Sequence, residues 1–283
     1  MKKNLKNSLC LLLAAVMLAC TVPVLAAESG EVKFAYEITN GEATVLGLEE
    51  DLPEDFGGTL VIPSQIEGAP VTEIYGNAFT DVGEITDVTL PDGLKKIGIN
   101  AFYGTEYFND ESKRESGALY NGRYLLDYSR EVENKQLKVK DGTVLIADYS
   151  CCDNYALQSL TVPASVKVIG DFAFWGCENL AEVTLPDTLE NIGREIFLGA
   201  AVYANEKYVF NNALYVGKYM VGIEVYEFIE SDYYVKEGTE LIANGMFAET
   251  YATMVSIPAS VKVIGDCCFN ETPFLKKIAV DKN

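Results

Sequence analysis

The chain has 283 residues, 49% of them hydrophobic, with a formal net charge of −20 and no histidine. The apolar content can build a core, and the missing histidine removes the commonest general base and the commonest metal ligand together. So acidic a surface repels nucleic acid and anionic membranes, and neither is expected as a partner.

Residues 1–27 read as a secretion signal peptide. Lys2, Lys3 and Lys6 form a basic start, residues 9–19 are an apolar run, and Val24-Leu25-Ala26-Ala27 supplies small residues at cleavage spacing. The run is too short for a stable span, so no membrane insertion is expected. Cys20 opens a second reading, a lipid anchor, but Met17-Leu18-Ala19 puts leucine one place late for that signal. The mature chain is expected outside the cell or at its surface.

Residues 28–58 form a capping hairpin on this reading. Phe34 to Val45 alternates around Asn40-Gly41, a strong hairpin signal. Residues 59–283 are then a solenoid. Val162-Pro163-Ala164-Ser165-Val166-Lys167-Val168-Ile169-Gly170-Asp171 returns 95 residues later as Ile257-Pro258-Ala259-Ser260-Val261-Lys262-Val263-Ile264-Gly265-Asp266. Leu185-Pro186 with Ile192-Gly193 lies between them, and Leu90-Pro91 with Ile97-Gly98 lies before, which sets a shorter period of about 23 residues. In one unit, Val183 and Leu185 face one side of a strand, Pro186 ends it, and Ile192 points back inward. Gly193 is assigned the tight backbone geometry of a corner, and the residues after it one helical turn.

The spacing predicts an α/β leucine-rich-repeat solenoid with one parallel sheet and short helical turns on its other side. Strands are expected near Leu60, Val88, Val139, Thr161, Thr184, Val235, Ser256 and Ala279. Ala118-Leu119-Tyr120-Asn121-Gly122-Arg123-Tyr124 and Ala213-Leu214-Tyr215-Val216-Gly217-Lys218-Tyr219 interrupt the short period and read as β-hairpin insertions in two long repeats. Phe79, Phe102, Phe174, Phe197, Phe247 and Phe269 recur in register and predict a buried aromatic ladder. Cys151, Cys267 and Cys268 align with Phe174, Phe172 and Ala173 and are read as buried small hydrophobes; a Cys152–Cys177 bridge is the alternative.

These residues resemble the BspA-like leucine-rich-repeat family of bacterial surface proteins. The resemblance rests on Val183-Thr184-Leu185-Pro186 through Ile192-Gly193, and on Leu160-Thr161-Val162-Pro163 through Ile169-Gly170-Asp171-Phe172-Ala173-Phe174. It implies a non-catalytic, adhesin-like recognition module for a protein or glycan, of host or matrix origin, with no catalytic residues to carry over.

Candidate sites are few. The acidic groups at 49–51 and 54–55, and Glu224, Glu227, Glu230 and Asp232, lack the residue order of a calcium loop. Ser165 with Lys167, and Ser260 with Lys262, recur at the repeat period and read as a turn motif. No catalytic, metal or cofactor residue is assigned. Tyrosines crowd the insertions, and Tyr120, Tyr124, Tyr128, Tyr215, Tyr219 and Tyr226 are the candidate ligand-contacting surface, since tyrosine offers large contact area at low entropy cost. The alternative is a structural protein that self-associates weakly through its ends, with the strand around Ile278-Ala279-Val280 as the exposed edge.

Overall fold

The computed structural model describes residues 32–223 and 232–281. The secretion signal, Glu224, Tyr226, Glu227 and Glu230 lie outside the described residues.

The chain winds as a solenoid with two columns of short strands. In the first, Thr59–Val61 pairs with Asp87–Thr89; Gln136–Lys138, Ser159–Thr161 and Glu182–Thr184 pair in turn; so do Asp232–Tyr234, Met254–Ile257 and Lys277–Val280, all in parallel. The central residue of each early strand points inward, as Leu60, Val88, Leu160 and Val183 do. Val139 and Val235 fall just past their strands.

The expectation of one parallel sheet is corrected. The hydrophobic-Gly places read as corners are a second column. Lys96–Ile97 pairs with Ala69–Ile74; Leu145–Ile146, Val168–Ile169 and Asn191–Ile192 form a parallel series, and Leu241–Ile242 pairs with Val263–Ile264. Most of these strands are two residues long, too short for alternation to declare itself. The entry hairpin, Phe34–Thr39 with Glu42–Leu48, joins this second column through Ala69–Ile74.

The expected helical turns are also corrected. After each Ile-Gly place come two left-handed residues four positions apart, as at Phe172 and Gly176 or Glu195 and Gly199, and Tyr149 and Asp153 stand likewise after Ile146-Ala147. A right-handed helix cannot propagate through such residues, so these segments are tight turns. Among the described residues the α-helix is Glu106–Asn109, capped by the Thr105 hydroxyl, which accepts from the Phe108 amide at 3.1 Å. Gly193 serves a different purpose from the one expected. Its φ is not left-handed; a Cβ there would collide with the backbone of Gly170 and Asp171 in the preceding repeat. Gly170 faces Ala147 and Asp148 in the same way, and Gly265 faces Ala243 and Asn244.

The ladder phenylalanines stack in pairs, Phe79 on Phe102, Phe174 on Phe197 and Phe247 on Phe269, at 5.4 to 5.7 Å. Cys151 and Cys268 are buried, but Cys267 is exposed. It occupies a left-handed turn position with φ 53, which carries its side chain outward. Cys152 and Cys177 are free thiols; that of Cys177 donates to the Cys151 carbonyl oxygen at 3.1 Å.

Two hairpins divide the solenoid into three blocks. Ala118–Asn121 with Tyr124–Tyr128, and Ala213–Val216 with Tyr219–Ile223, are antiparallel pairs whose second strands join the second column in parallel at Leu145–Ile146 and Leu241–Ile242. Among the described residues neither column's ladder crosses a hairpin. The first hairpin is a wall between two cores. Leu119, Tyr124 and Leu126 pack toward the N-terminal core, and Ala118 and Leu125 toward the next, as strand alternation requires, while the register shift between Leu125 and Asp127 turns Tyr128 to that second core as well. A side chain covers each interrupted first-column edge. The Asn121 amide donates to the Val88 carbonyl at 2.8 Å, and the Tyr208 hydroxyl donates to that of Val183 at 3.1 Å.

Candidate functional site

The hairpin tyrosines are clamps between blocks. Tyr124 reaches back, donating to the Pro91 carbonyl at 2.6 Å and accepting from the Leu94 amide. Tyr219 does the same to Pro186 at 2.8 Å and Leu189 at 3.2 Å. Tyr120 and Tyr215 reach forward, their hydroxyls accepting from the amides of Lys140 at 3.1 Å and Lys236 at 3.2 Å. Tyr124, Tyr128, Tyr215 and Tyr219 are buried and Tyr120 half-buried, so none is an exposed contact surface; Tyr120, Tyr124, Tyr215 and Tyr219 join blocks, and Tyr128 packs into the second core. Periodic pairing of Tyr124 with Pro91 and of Tyr219 with Pro186 was the signal in the sequence for this.

Where the first hairpin parts the blocks, a cleft of about 760 Å³ opens on the turn side. That lies within the usual range for small-molecule sites, roughly 300–1,000 Å³. Tyr103 lines it from the block before the hairpin, 51% exposed and edge-on to Phe108 at 5.6 Å. Trp175 lines it from the block after, 37% exposed. Each follows a ladder phenylalanine directly, so an inward ring is succeeded by an outward one. The floor is polar. Arg114 donates to Asp127 at 2.6 Å, to the Phe108 carbonyl at 3.2 Å, and pairs with Glu111 at 3.4 Å. Arg130 donates to the Cys152 carbonyl at 3.0 Å and to its sulfur at 2.9 Å. Burial pushes the Asp127 carboxyl up against the pull of Arg114, and it pushes the Cys152 thiol up against that of Arg130. A raised thiol is a poor nucleophile.

Two smaller recesses adjoin. One, of about 360 Å³, lies on the hairpin's other side against Tyr120, Tyr128, and the ion pair of Glu115 with Lys140. The other, about 250 Å³, holds Lys96 between Asp148 at 3.5 Å and Asp171 at 3.1 Å. Burial raises Asp148 to about 6, with Lys96 pulling the other way, and burial raises Glu73 too. Asp148 accepts the Asp171 amide, and Asp171 accepts that of Arg194, each at 2.9 Å. These carboxylates therefore join successive repeats. The Ser165 hydroxyl accepts from the Gly142 amide at 3.0 Å, while Lys167 pairs with Glu190 at 3.4 Å, so the two form no nucleophile–base couple.

A family model for the BspA type leucine rich repeat region matches in six copies, over residues 61–125, 144–221 and 225–283. The chain belongs to the BspA-type leucine-rich-repeat family. The stretch between the first two matched segments of these BspA-type repeats holds Asp127, Tyr128, Arg130 and Glu131, so much of the cleft floor lies outside the repeat pattern. Comparison with curated proteins finds no match. Among solved structures, the chain is similar to a leucine rich cell surface protein of Faecalibacterium prausnitzii, at 15% identity, 92% of this chain, 96% of that one and a TM-score of 0.35. A leucine-rich repeat protein of Bacteroides ovatus shares 16% identity, over 88% of this chain and 70% of that one, with a TM-score of 0.27. The pneumococcal vaccine antigen PcpA shares 13%, over 93% and 71%, with a TM-score of 0.27.

Proposed function

We propose that this chain is a secreted or surface-associated recognition module, adhesin-like and non-catalytic, that binds a protein or glycan. The cleft at the first hairpin carries this reading, because it sets two exposed aromatic side chains among polar groups where tyrosine hydroxyls clamp the hairpin to the block before it. Secretion rests on the signal in residues 1–27, and among the described residues no helix is long and apolar enough to cross a membrane. Against chemistry stand the missing histidine and the charge pairs that already occupy Asp127 and Glu111.

The test is an array of host-matrix proteins and glycans probed with the mature protein. Saturable capture that Tyr103→Ala weakens supports the reading. Capture by no component, or robust substrate turnover by purified protein, contradicts it. A second reading is assembly through the C-terminal strands, where Val263, Ile264, Ile278 and Val280 are exposed. Sedimentation tests it, a concentration-dependent rise in mass being the expected sign.

A further inference from the structure

The turns on either side of the first hairpin carry one small motif twice. Tyr103 and Trp175 are exposed, and a left-handed aspartate of the preceding repeat lies against the turn of each. The Asp81 amide donates to the Tyr103 carbonyl at 2.8 Å, and the Asp153 amide donates to the Trp175 carbonyl at 2.7 Å. Their carboxylates overhang Gly104 and Gly176, the residues that follow the two rings, where a Cβ would strike the Oδ1 atom. In the third block Glu249 holds the same turn position, but its amide donates to Asn270, which brings no ring. The cleft itself is lined by an excess of acid. With Asp148 taken by Lys96, the carboxylates of Glu111, Asp127, Glu131 and Asp153 face the guanidiniums of Arg114 and Arg130. Arg114 answers Glu111 and Asp127, while Arg130 stands in the field of Asp153 and Asp127. Glu131 and Asp153 have no ion pair among the described residues.

We infer that this cleft binds a basic segment of a partner protein, holding lysine or arginine side chains at Asp153 with Trp175 and at Asp81 with Tyr103. The assignment rests on the recognition reading and narrows it to one partner class. An aromatic face and a carboxylate are the two groups that attract an organic cation, the first through its quadrupole and the second through its charge. Each motif sets the two side by side. Among the described residues no three metal-ligating side chains gather closely enough to hold a metal ion, so the spread acids suit cations carried at intervals along a chain. Arg130 donates to the Cys152 carbonyl and sulfur only, which leaves N–H groups for the carbonyl oxygens of such a segment. The net charge of −20 draws a basic partner in and repels an acidic one. A neutral sugar would leave Glu131 and Asp153 unanswered.

The chain contains one tryptophan, and it lines the cleft, so tryptophan emission reports this site. Mature protein is titrated with end-capped tetraarginine and tetralysine, with tetraserine and tetraglutamate, and with a neutral gluco-oligosaccharide. The basic peptides are expected to shift Trp175 emission saturably, and the other three to leave it unchanged. Asp153→Asn and Tyr103→Ala should each weaken the binding about fivefold. Asparagine takes the left-handed conformation readily, so Asp153→Asn should keep the melting transition, and Asp81→Asn serves in its place if it does not. Glu249→Gln removes the same charge from the ring-free turn of the third block and should leave binding unchanged. No shift with either basic peptide, an equal shift with a neutral or acidic probe, or equal weakening by Glu249→Gln overturns the assignment. If the array captures a matrix protein or glycan that Tyr103→Ala loses while both basic peptides are silent, the recognition reading stands and the basic segment falls. Capture of nothing on the array, with both peptides silent, removes the two together.

Discussion

The hydroxyl of Tyr124 donates to the carbonyl oxygen of Pro91 at 2.6 Å, tying the first hairpin to the block before it alongside the Asn121 bond to Val88. The same bond recurs 95 residues on between Tyr219 and Pro186. Removing the hydroxyl strands a carbonyl and an amide at each joint. Tyr124→Phe and Tyr219→Phe should each cost about 1–2 kcal/mol in urea unfolding. A loss too small to measure in both would mean that the hairpins are held by packing alone.

Close stacking of repeats depends on glycine where a neighbouring backbone passes. Gly193→Ala drives a methyl into Gly170 and Asp171, whereas a Cβ at Gly83 meets nothing within 4 Å. Gly193→Ala should destabilise by more than about 2 kcal/mol, and Gly83→Ala should be neutral or slightly stabilising. Equal melting temperatures for the two variants would contradict the collision.

Phe174 is fully buried and stacks on Phe197 at 5.7 Å. Phe174→Ala should cost about 3–5 kcal/mol by chemical denaturation, as large-to-small core changes do. A loss below about 1 kcal/mol would show that the ladder tolerates a gap.

Asp148 gives the chain a pH dependence of defined sign. Its carboxyl titrates near 6 when folded and near 3.9 when unfolded, so the folded state holds the extra proton between those values. Stability from this group is present at low pH and is lost as pH rises from about 4 through 6, by on the order of 3 kcal/mol. The charges facing it are Lys96, Asp171 and, through Lys96, Glu73, whose own raised carboxyl acts in the same direction. Asp148→Asn should flatten that fall while keeping the acceptor for the Asp171 amide, as Asn244 accepts the Asp266 amide at 3.0 Å in the third block. Urea midpoints across the pH range check this; an unchanged slope in the variant would remove Asp148 as the cause.

Strands of the first column were legible because Val162-Pro163 and Leu185-Pro186 pair alternation with a stop. Pairs such as Asn191–Ile192 were not, since two residues cannot alternate visibly. Turns passed for helix because Phe172 and Glu195, which carry no glycine's licence for positive φ, hold left-handed conformations. In the site, tyrosine counts pointed to both hairpins alike, as exposed contact surfaces. The side chains that clamp the joint lie inside it, and the exposed rings, Tyr103 and Trp175, sit in turns that periodicity does not mark.

Hydrogen exchange of the mature protein, with and without a ligand captured on the array, tests the recognition site most directly. Protection is expected in the turns around Tyr103, Asp127 to Glu131, Asp153 and Trp175, with the third block unchanged. Protection confined to the third block, with the first hairpin's cleft unaffected, would contradict it.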